Sequence, residues 1–159
     1  MDNFEKIRKV AVERVLRQAA AEEVQAWYQY IAPVKFMQGG GRDAAMALFI
    51  KNGDEEIADH LDKLLGRLAA LNANVGRLMD FYNLPYIAEG EYRVPHYPYD
   101  VSTLVQDNIK AEEEAITTYR HLMEVSAGVD EATHALAAEI LGDEERHLQD
   151  LKKLLSQLQ

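Results

Sequence analysis

No cysteine occurs among the 159 residues, so disulfides, thiolate metal sites and iron–sulfur clusters are excluded. No apolar run approaches the roughly 20 residues that a membrane-spanning helix needs. The opening residues, Met1-Asp-Asn-Phe-Glu5, lack the charged-then-apolar layout of a secretory signal, and a cytoplasmic location is the default expectation. Basic residues are outnumbered, 17 Lys and Arg against 27 Asp and Glu, for a net charge of −10. Nucleic-acid phosphates would repel such a chain, so neither nucleic acid nor membrane is expected as a partner. Proline is scarce as well: three of the four (Pro85, Pro95 and Pro98) fall in one stretch, which marks it as a connector. What remains is one domain's worth of chain, enough to bury roughly 70% of its unfolded surface without covalent staples.

Four long stretches repeat apolar residues with the period of a helix. The first is predicted from about Asn3 to Gln38, stopping at Gly39-Gly40-Gly41, with an inward row of Val12, Leu16, Ala19, Glu23, Ala26, Tyr30 and Val34. The second runs from about Asp43 to Phe81, with Phe49, Gly53, Glu56, His60, Leu64 and Leu71 inward. The third starts behind Asp100 or Ser102, both good N-caps, and turns Val105, Ile109, Glu112, Ile116, Tyr119 and Met123 inward. The fourth follows Val129-Asp130, with Ala137, Ile140, Glu144, His147, Leu151 and Leu154. Short turns at Gly39–Arg42 and around Ala127-Gly128 make each successive pair antiparallel neighbours. Between the pairs, the connector from Tyr82 to Val101 is long enough to travel the length of a bundle. The expected architecture is all-α: a single-domain four-helix bundle over residues 1–159, two antiparallel pairs joined by one long crossover.

The second half echoes the first. Glu23-x-x-Ala26-x-x-x-Tyr30 recurs as Glu112-x-x-Ala115-x-x-x-Tyr119, and Glu56 with His60 is answered by Glu144 with His147. Each of the four carboxylates stands 16 or 17 residues from a turn glycine, Gly40 or Gly128. At ~1.5 Å per residue that is roughly 24–26 Å, which brings all four to mid-bundle. A single Glu/His pair on a helix is more often a solvated contact. Four carboxylates and two imidazoles buried at one level are different, because without a cation they would repel at a cost of many kcal/mol. Glu23, Glu56, His60, Glu112, Glu144 and His147 are therefore candidate ligands for two divalent metal ions. Their oxygen and nitrogen donors suit iron or manganese rather than copper or a closed structural zinc site.

Tyr30 and Tyr119 lie one heptad beyond Glu23 and Glu112. A hydrogen bond to a metal-bound carboxylate and plain core packing are both open for them. His96, His121 and His134 fall off the inward rows and are assigned to the surface. Glu22, Glu55, Glu113, Glu114 and Glu145 adjoin the candidate ligands but point at least ~100° away on an ideal helix. They are assigned to solvated faces or subunit contacts.

With these residues in hand, the chain resembles the ferritin-like superfamily, most closely bacterioferritins and the bacterioferritin-like branch of the Dps proteins. Glu23-Val-Gln-Ala-Trp-Tyr-Gln-Tyr30 is similar to the first-helix pattern E-L-x-A-x-x-Q-Y, and Asp143-Glu-Glu-Arg-His147 with Leu151 to the fourth-helix D-E-x-x-H. His60-Leu-Asp-Lys-Leu-Leu-Gly-Arg-Leu68 is similar to the segment that follows the second-helix histidine. The resemblance implies that Glu23 and Glu112 each serve one metal, that Glu56 and Glu144 bridge the two, and that His60 and His147 each complete one position. It further implies a ferroxidase: two Fe(II) about 3.5–4 Å apart, O2 or H2O2 as electron acceptor, and Fe(III) leaving as mineral inside a homo-oligomeric cage.

Three departures stand out. The second helix has Glu-x-x-x-His where the family has Glu-x-x-His, and a π-bulge near Gly53 is the expected accommodation. The haem-ligating Met of bacterioferritins would fall at Ala58, so no haem is expected. Typical Dps proteins place their ligands across a dimer interface and carry a Lys-rich tail, whereas this chain carries a full ligand set of its own and no such tail. Two other readings use the same residues: a small-molecule di-metal enzyme, manganese catalase-like or a di-iron oxidase, and a non-enzymatic bundle whose polar row sets helix register.

Overall fold

The computed structural model describes residues 3–75 and 99–158. Helix α1, Asn3–Ile31, ends where Pro33 makes the α conformation unfavourable for its predecessor, and the chain tightens into a 3-10 turn at Ala32–Lys35. The first helix is thus shorter than the predicted Asn3-to-Gln38 span. The reversal that follows uses Gly39 (φ 106°) and Gly41 (φ 73°), values that favour glycine. A Cβ at Gly41 would also meet Leu158 Cδ2 at 2.2 Å, so that side chain, at the end of the last helix, would have to move aside.

Helix α2 comprises Arg42–Glu55, a π-helical turn at Glu56–Leu61, and a further α-helical stretch, Asp62–Ala70. The helix is interrupted after Ala70, short of the predicted Phe81, whose last residues, 76–81, lie outside the described residues. At Asn72 the backbone turns left-handed (φ 52°), a conformation that Asn tolerates. The N–H groups of Asn72 and Ala73 then fold back onto the carbonyls of Ala69 and Leu68, both at 3.0 Å, which closes the helix. Helix α3, Val101–Ser126, is capped by Asp100, which accepts from Thr103 N at 3.1 Å. Helix α4, Glu131–Leu158, begins behind Asp130, whose carboxylate accepts from Thr133 N and is held by Arg67 of α2 at 2.7 and 2.8 Å.

Three contacts fix the topology. Gln38, beyond α1, pairs with the start of α3 through Gln38 N to Tyr99 O and Val101 N to Gln38 O, at 3.1 and 3.2 Å. Arg17, at the middle of α1, hydrogen-bonds the carbonyl of Asn74, beyond the end of α2. Arg8 reaches Ala127 O, in the α3–α4 turn, at 3.0 Å. Helix α2 therefore ends at the opposite pole from where α3 begins, and the two run parallel. The connector between them, with Pro85, Pro95, Pro98 and His96, falls almost wholly outside the described residues.

The inward rows are buried nearly throughout. They form two apolar clusters, one around Leu16, Leu64, Leu122 and Ile140, the other around Tyr30, Phe49, Val105 and Leu151. Between these clusters lies a layer that is polar.

Candidate metal centre

Each helix supplies this layer from its inward row: Glu23 from α1, Glu56 and His60 from α2, Glu112 from α3, Glu144 and His147 from α4. All six are at most 3% exposed. His60 Nδ1 lies 3.4 Å from Glu23 Oε2, 3.1 Å from Glu56 Oε2 and 3.2 Å from Glu144 Oε1. His147 Nδ1 lies 3.2 Å from Glu56 Oε1, 3.4 Å from Glu144 Oε2 and 3.8 Å from Glu112 Oε1. Two quartets result, Glu23/Glu56/His60/Glu144 and Glu56/Glu112/Glu144/His147, each with one ligand atom per residue within 4.8 Å of the others. Glu56 and Glu144 belong to both.

The π turn explains how α2 takes part. A π turn closes i→i+5 rather than i→i+4 and so holds one residue more than an α turn. Glu56-x-x-x-His60 thereby covers the part of a turn that Glu144-x-x-His147 covers in α4. The extra residue lies at Glu56–Leu61 itself, not at Gly53. Gly53 has another use: a Cβ there would stand 3.0 Å from Ile31 Cδ1 and 3.1 Å from Tyr30 Cβ, so its absence lets α1 and α2 close up.

Electrostatically the layer is short of positive charge. Burial, with Glu56 and Glu144 nearby, pushes Glu23 well above the usual carboxylate range, and burial with Glu144 and Glu56 does the same to Glu112. Burial also opposes charge on Glu144, yet the imidazoles of His147 and His60 outweigh it and hold that carboxyl low. Burial would depress both histidines, but the carboxylates win: His60 is raised strongly, by Glu144, Glu23 and Glu56, and His147 to about 10, by Glu144 and Glu56. Even so, Glu23 Oε2, Glu56 Oε1, both Glu144 oxygens, His60 Nε2 and His147 Nδ1 are buried without a hydrogen-bond partner. Such unpaired groups are costly in a core, and lone pairs converging from two sides fit a pair of divalent cations.

The ferritin-like domain family model matches residues 13–159. The chain belongs to the ferritin-like family. No protein with a curated description matches it in sequence. Solved structures that share its fold include the dodecameric thioferritin of Bacteroides fragilis, a bacterioferritin-related protein, with a TM-score of 0.85 and 26% identity over 99% of this chain and 94% of that one. Dps from Thermosynechococcus elongatus aligns at 0.83 with 19% identity, covering 96% and 95%. Rhodobacter capsulatus bacterioferritin aligns at 0.72 with 21% identity, covering 92% and 84%.

Around the six residues, this ferritin-like bundle builds a second layer. Tyr30 on α1 hydrogen-bonds Glu112 Oε1 on α3, and Tyr119 on α3 hydrogen-bonds Glu23 Oε1 on α1. The two tyrosines thus pack in the core and hold carboxylates as well. Tyr30 in addition accepts from Asn52 Nδ2 at 3.2 Å, an interaction that the sequence pattern did not signal.

Glu55 is a correction. Rather than facing solvent or another subunit, it accepts from His147 Nε2 at 3.1 Å and pairs with Arg146. Asp143 stands in the equivalent place, its Oδ2 3.6 Å from His60 Nε2. A signal for both was present, since each candidate bridging glutamate is preceded by an acid, Glu55-Glu56 and Asp143-Glu144. Ideal-helix angles overlook them because a long side chain on the flank of one helix can reach across to the next.

Glu22 is half-buried and accepts from Gln18 at 2.9 Å, and burial raises its carboxyl to about 7. Glu113, Glu114 and Glu145 are exposed, and so are Ala58 and His121. His134 is not a surface histidine: it is half-buried and its Nδ1 donates to Met123 O at 3.0 Å, a carbonyl that also accepts from Ala127 N, so the ring ties α4 to the end of α3.

Proposed function

We propose that this protein is a ferroxidase of the iron-storage type, taking two Fe(II) as substrate in the mid-bundle layer. The observation that carries the reading is the pair of overlapping quartets, in which Glu56 and Glu144 reach both positions while Glu23/His60 and Glu112/His147 reach one each. Hard carboxylate oxygens favour the higher charge of Fe(III) and so assist electron loss. Each Fe(II) gives up one electron. H2O2 takes both and becomes two hydroxide ions, or O2 takes both with two protons and becomes H2O2.

The remaining residues keep the ligands in place. The tyrosine hydrogen bonds hold one oxygen of Glu23 and of Glu112, which leaves the second oxygen of each for a metal ion. The two apolar clusters above and below exclude water from the layer. Because a bacterioferritin-related protein of this fold is described as dodecameric, we carry assembly into a homo-oligomeric cage to this chain as part of the same reading.

Anaerobic Fe(II) titration tests the proposal, with two ions bound per chain expected, followed by oxidation on adding O2 or H2O2 faster than in free solution. Glu144→Ala should abolish the fast phase. Binding of less than one ion per chain would sink the reading. Sedimentation velocity tests the cage separately and distinguishes 12 from 24 subunits.

A further inference from the structure

Arg146 lies on the outside of α4, its side chain 38% exposed, and touches carboxylates from two helices. Its Nη2 hydrogen-bonds Glu55 Oε1 on α2 and, at 3.0 Å, Asp143 Oδ1 on its own helix. Each of these carboxylates turns its second oxygen inward: Glu55 Oε2 accepts from His147 Nε2 at 3.1 Å, and Asp143 Oδ2 stands 3.6 Å from His60 Nε2, a charge contact longer than a hydrogen bond. The arrangement is crossed: the α2 carboxylate meets the α4 imidazole, and the α4 carboxylate meets the α2 imidazole. One guanidinium therefore stands behind both rings. The rings share an orientation, with centroids 5.8 Å apart and planes 28° from parallel.

We propose that Arg146 is a positioning residue common to both metal positions, fixing Glu55 and Asp143 so that these fix the rings of His60 and His147. The proposal rests on the di-iron reading above. A group that hydrogen-bonds the far nitrogen of a metal-binding histidine, as Glu55 does for His147, sets its tautomer and orientation, and losing it typically weakens metal binding about 10–100-fold. Asp143, 3.6 Å from His60 Nε2, orients that ring through charge. Arg146 sits one step further out but acts on both histidines together.

Charge alone predicts the reverse. A guanidinium near a cation site repels the incoming ion, so removing it should tighten binding at both positions. Freeing two carboxylates and two rings should loosen it, because what was held in place must then be ordered on binding. The sign of the change separates the two accounts.

The test is anaerobic titration of full-length protein with Co(II), read by its d–d absorption, for wild type and Arg146→Met. Two Co(II) per wild-type chain are expected, both binding about tenfold more weakly in the variant. Arg146→Lys, which keeps a donor cation, should recover part of the loss. Unchanged or tighter binding in Arg146→Met, or weakening of one position alone, would overturn the proposal. Fewer than two Co(II) in wild type would instead count against the di-iron reading.

Glu55→Gln should weaken one of the two positions. Adding Arg146→Met to it should then cost less at that position than Arg146→Met costs alone, because the shared link is already broken. Losses that simply multiply would overturn the proposal. Metal-free circular dichroism is the folding control, and Arg146→Gln gives the same reading if Arg146→Met does not fold.

Discussion

Tyr30 and Glu112, 82 residues apart in the chain, are joined by a hydrogen bond across the α1–α3 interface. Tyr119 and Glu23 make the matching bond in the opposite direction. In neither pair do the partners come from the same helical hairpin. Tyr30→Phe should weaken the metal position that uses Glu112, and Tyr119→Phe the position that uses Glu23, each about tenfold in anaerobic Co(II) titration. The stability effects should differ. Tyr30→Phe also strands the fully buried Asn52 amide, so urea unfolding of the metal-free protein should show a further loss of about 1–3 kcal/mol for this variant. Equal losses for the two variants would show that Asn52 contributes nothing.

Gly53→Ala should cost about 1–3 kcal/mol in urea unfolding, as expected of an overfilled core. The added methyl would press on Ile31 and Tyr30 at 3.0 and 3.1 Å. Because Tyr30 holds Glu112, Co(II) affinity should drop as well. A variant as stable as wild type would mean that the two helices can separate freely.

Deleting Ala58 tests the π turn directly. The deletion shortens Glu56-x-x-x-His60 to Glu-x-x-His and removes the surplus residue, so the helix should become α throughout while Leu64 and Leu68 stay in the core. Co(II) binding should persist to within about tenfold. Deleting Gly66, in the α-helical stretch after the π turn, should instead rotate Leu68 by roughly 100° and destabilise the fold. If the Ala58 deletion lost all binding while remaining folded, the register argument for α2 would fail.

The pH dependence of the metal-free protein follows from the same layer. Glu23 and Glu112 have raised carboxyl pKa values, so the folded state retains protons that the unfolded chain releases above about 4.5. Stability tied to these groups is lost as pH rises from there. His147, raised from 6.5 to about 10, contributes stability that is full below 6.5 and lost as pH climbs through 10. Glu144, held low, acts in the other direction, but only as pH falls below its ordinary 4.5. The melting temperature should therefore be higher at pH 5.5 than at pH 8.5 without metal, and bound Co(II) should shrink the difference. A flat profile would contradict the assigned burial of the layer.

Most of what positions the layer could be read from residue spacing. Glu23, Glu112, Glu144 and His147 occupy regular α-helical rows, where a 3.6-residue period translates directly into a shared face. Glu56 and His60 hinted at an irregularity, because their spacing differs by one from that of Glu144 and His147. Its location was not legible: a π turn is set by which backbone hydrogen bonds shift, and Gly53, the obvious weak point in composition, proved to serve helix packing. The end of α2 was hidden for a related reason. Apolar periodicity continues past Leu71, while the stop depends on Asn72 adopting a left-handed backbone and on two N–H groups folding back. The roles of Glu55 and Asp143 depended on contacts between helices, which angles around a single helix do not contain.

The exchanged tyrosines bear on how such a chain could have arisen. Residues 3–75 hold Glu23, Glu56 and His60, and residues 99–158 hold Glu112, Glu144 and His147, yet neither half contains the hydroxyl that steadies its own first glutamate. Each half also lacks the other's shared carboxylate, so neither completes a quartet alone. If a gene duplication joined two copies of one hairpin, the ancestral hairpin would have worked only as a homodimer, each copy lending its tyrosine and second-helix glutamate to the other. Fusion would have left that reciprocity in place while freeing each copy to diverge, and the extra residue in the first copy's Glu56–Leu61 turn, with no counterpart in the second, is one such divergence.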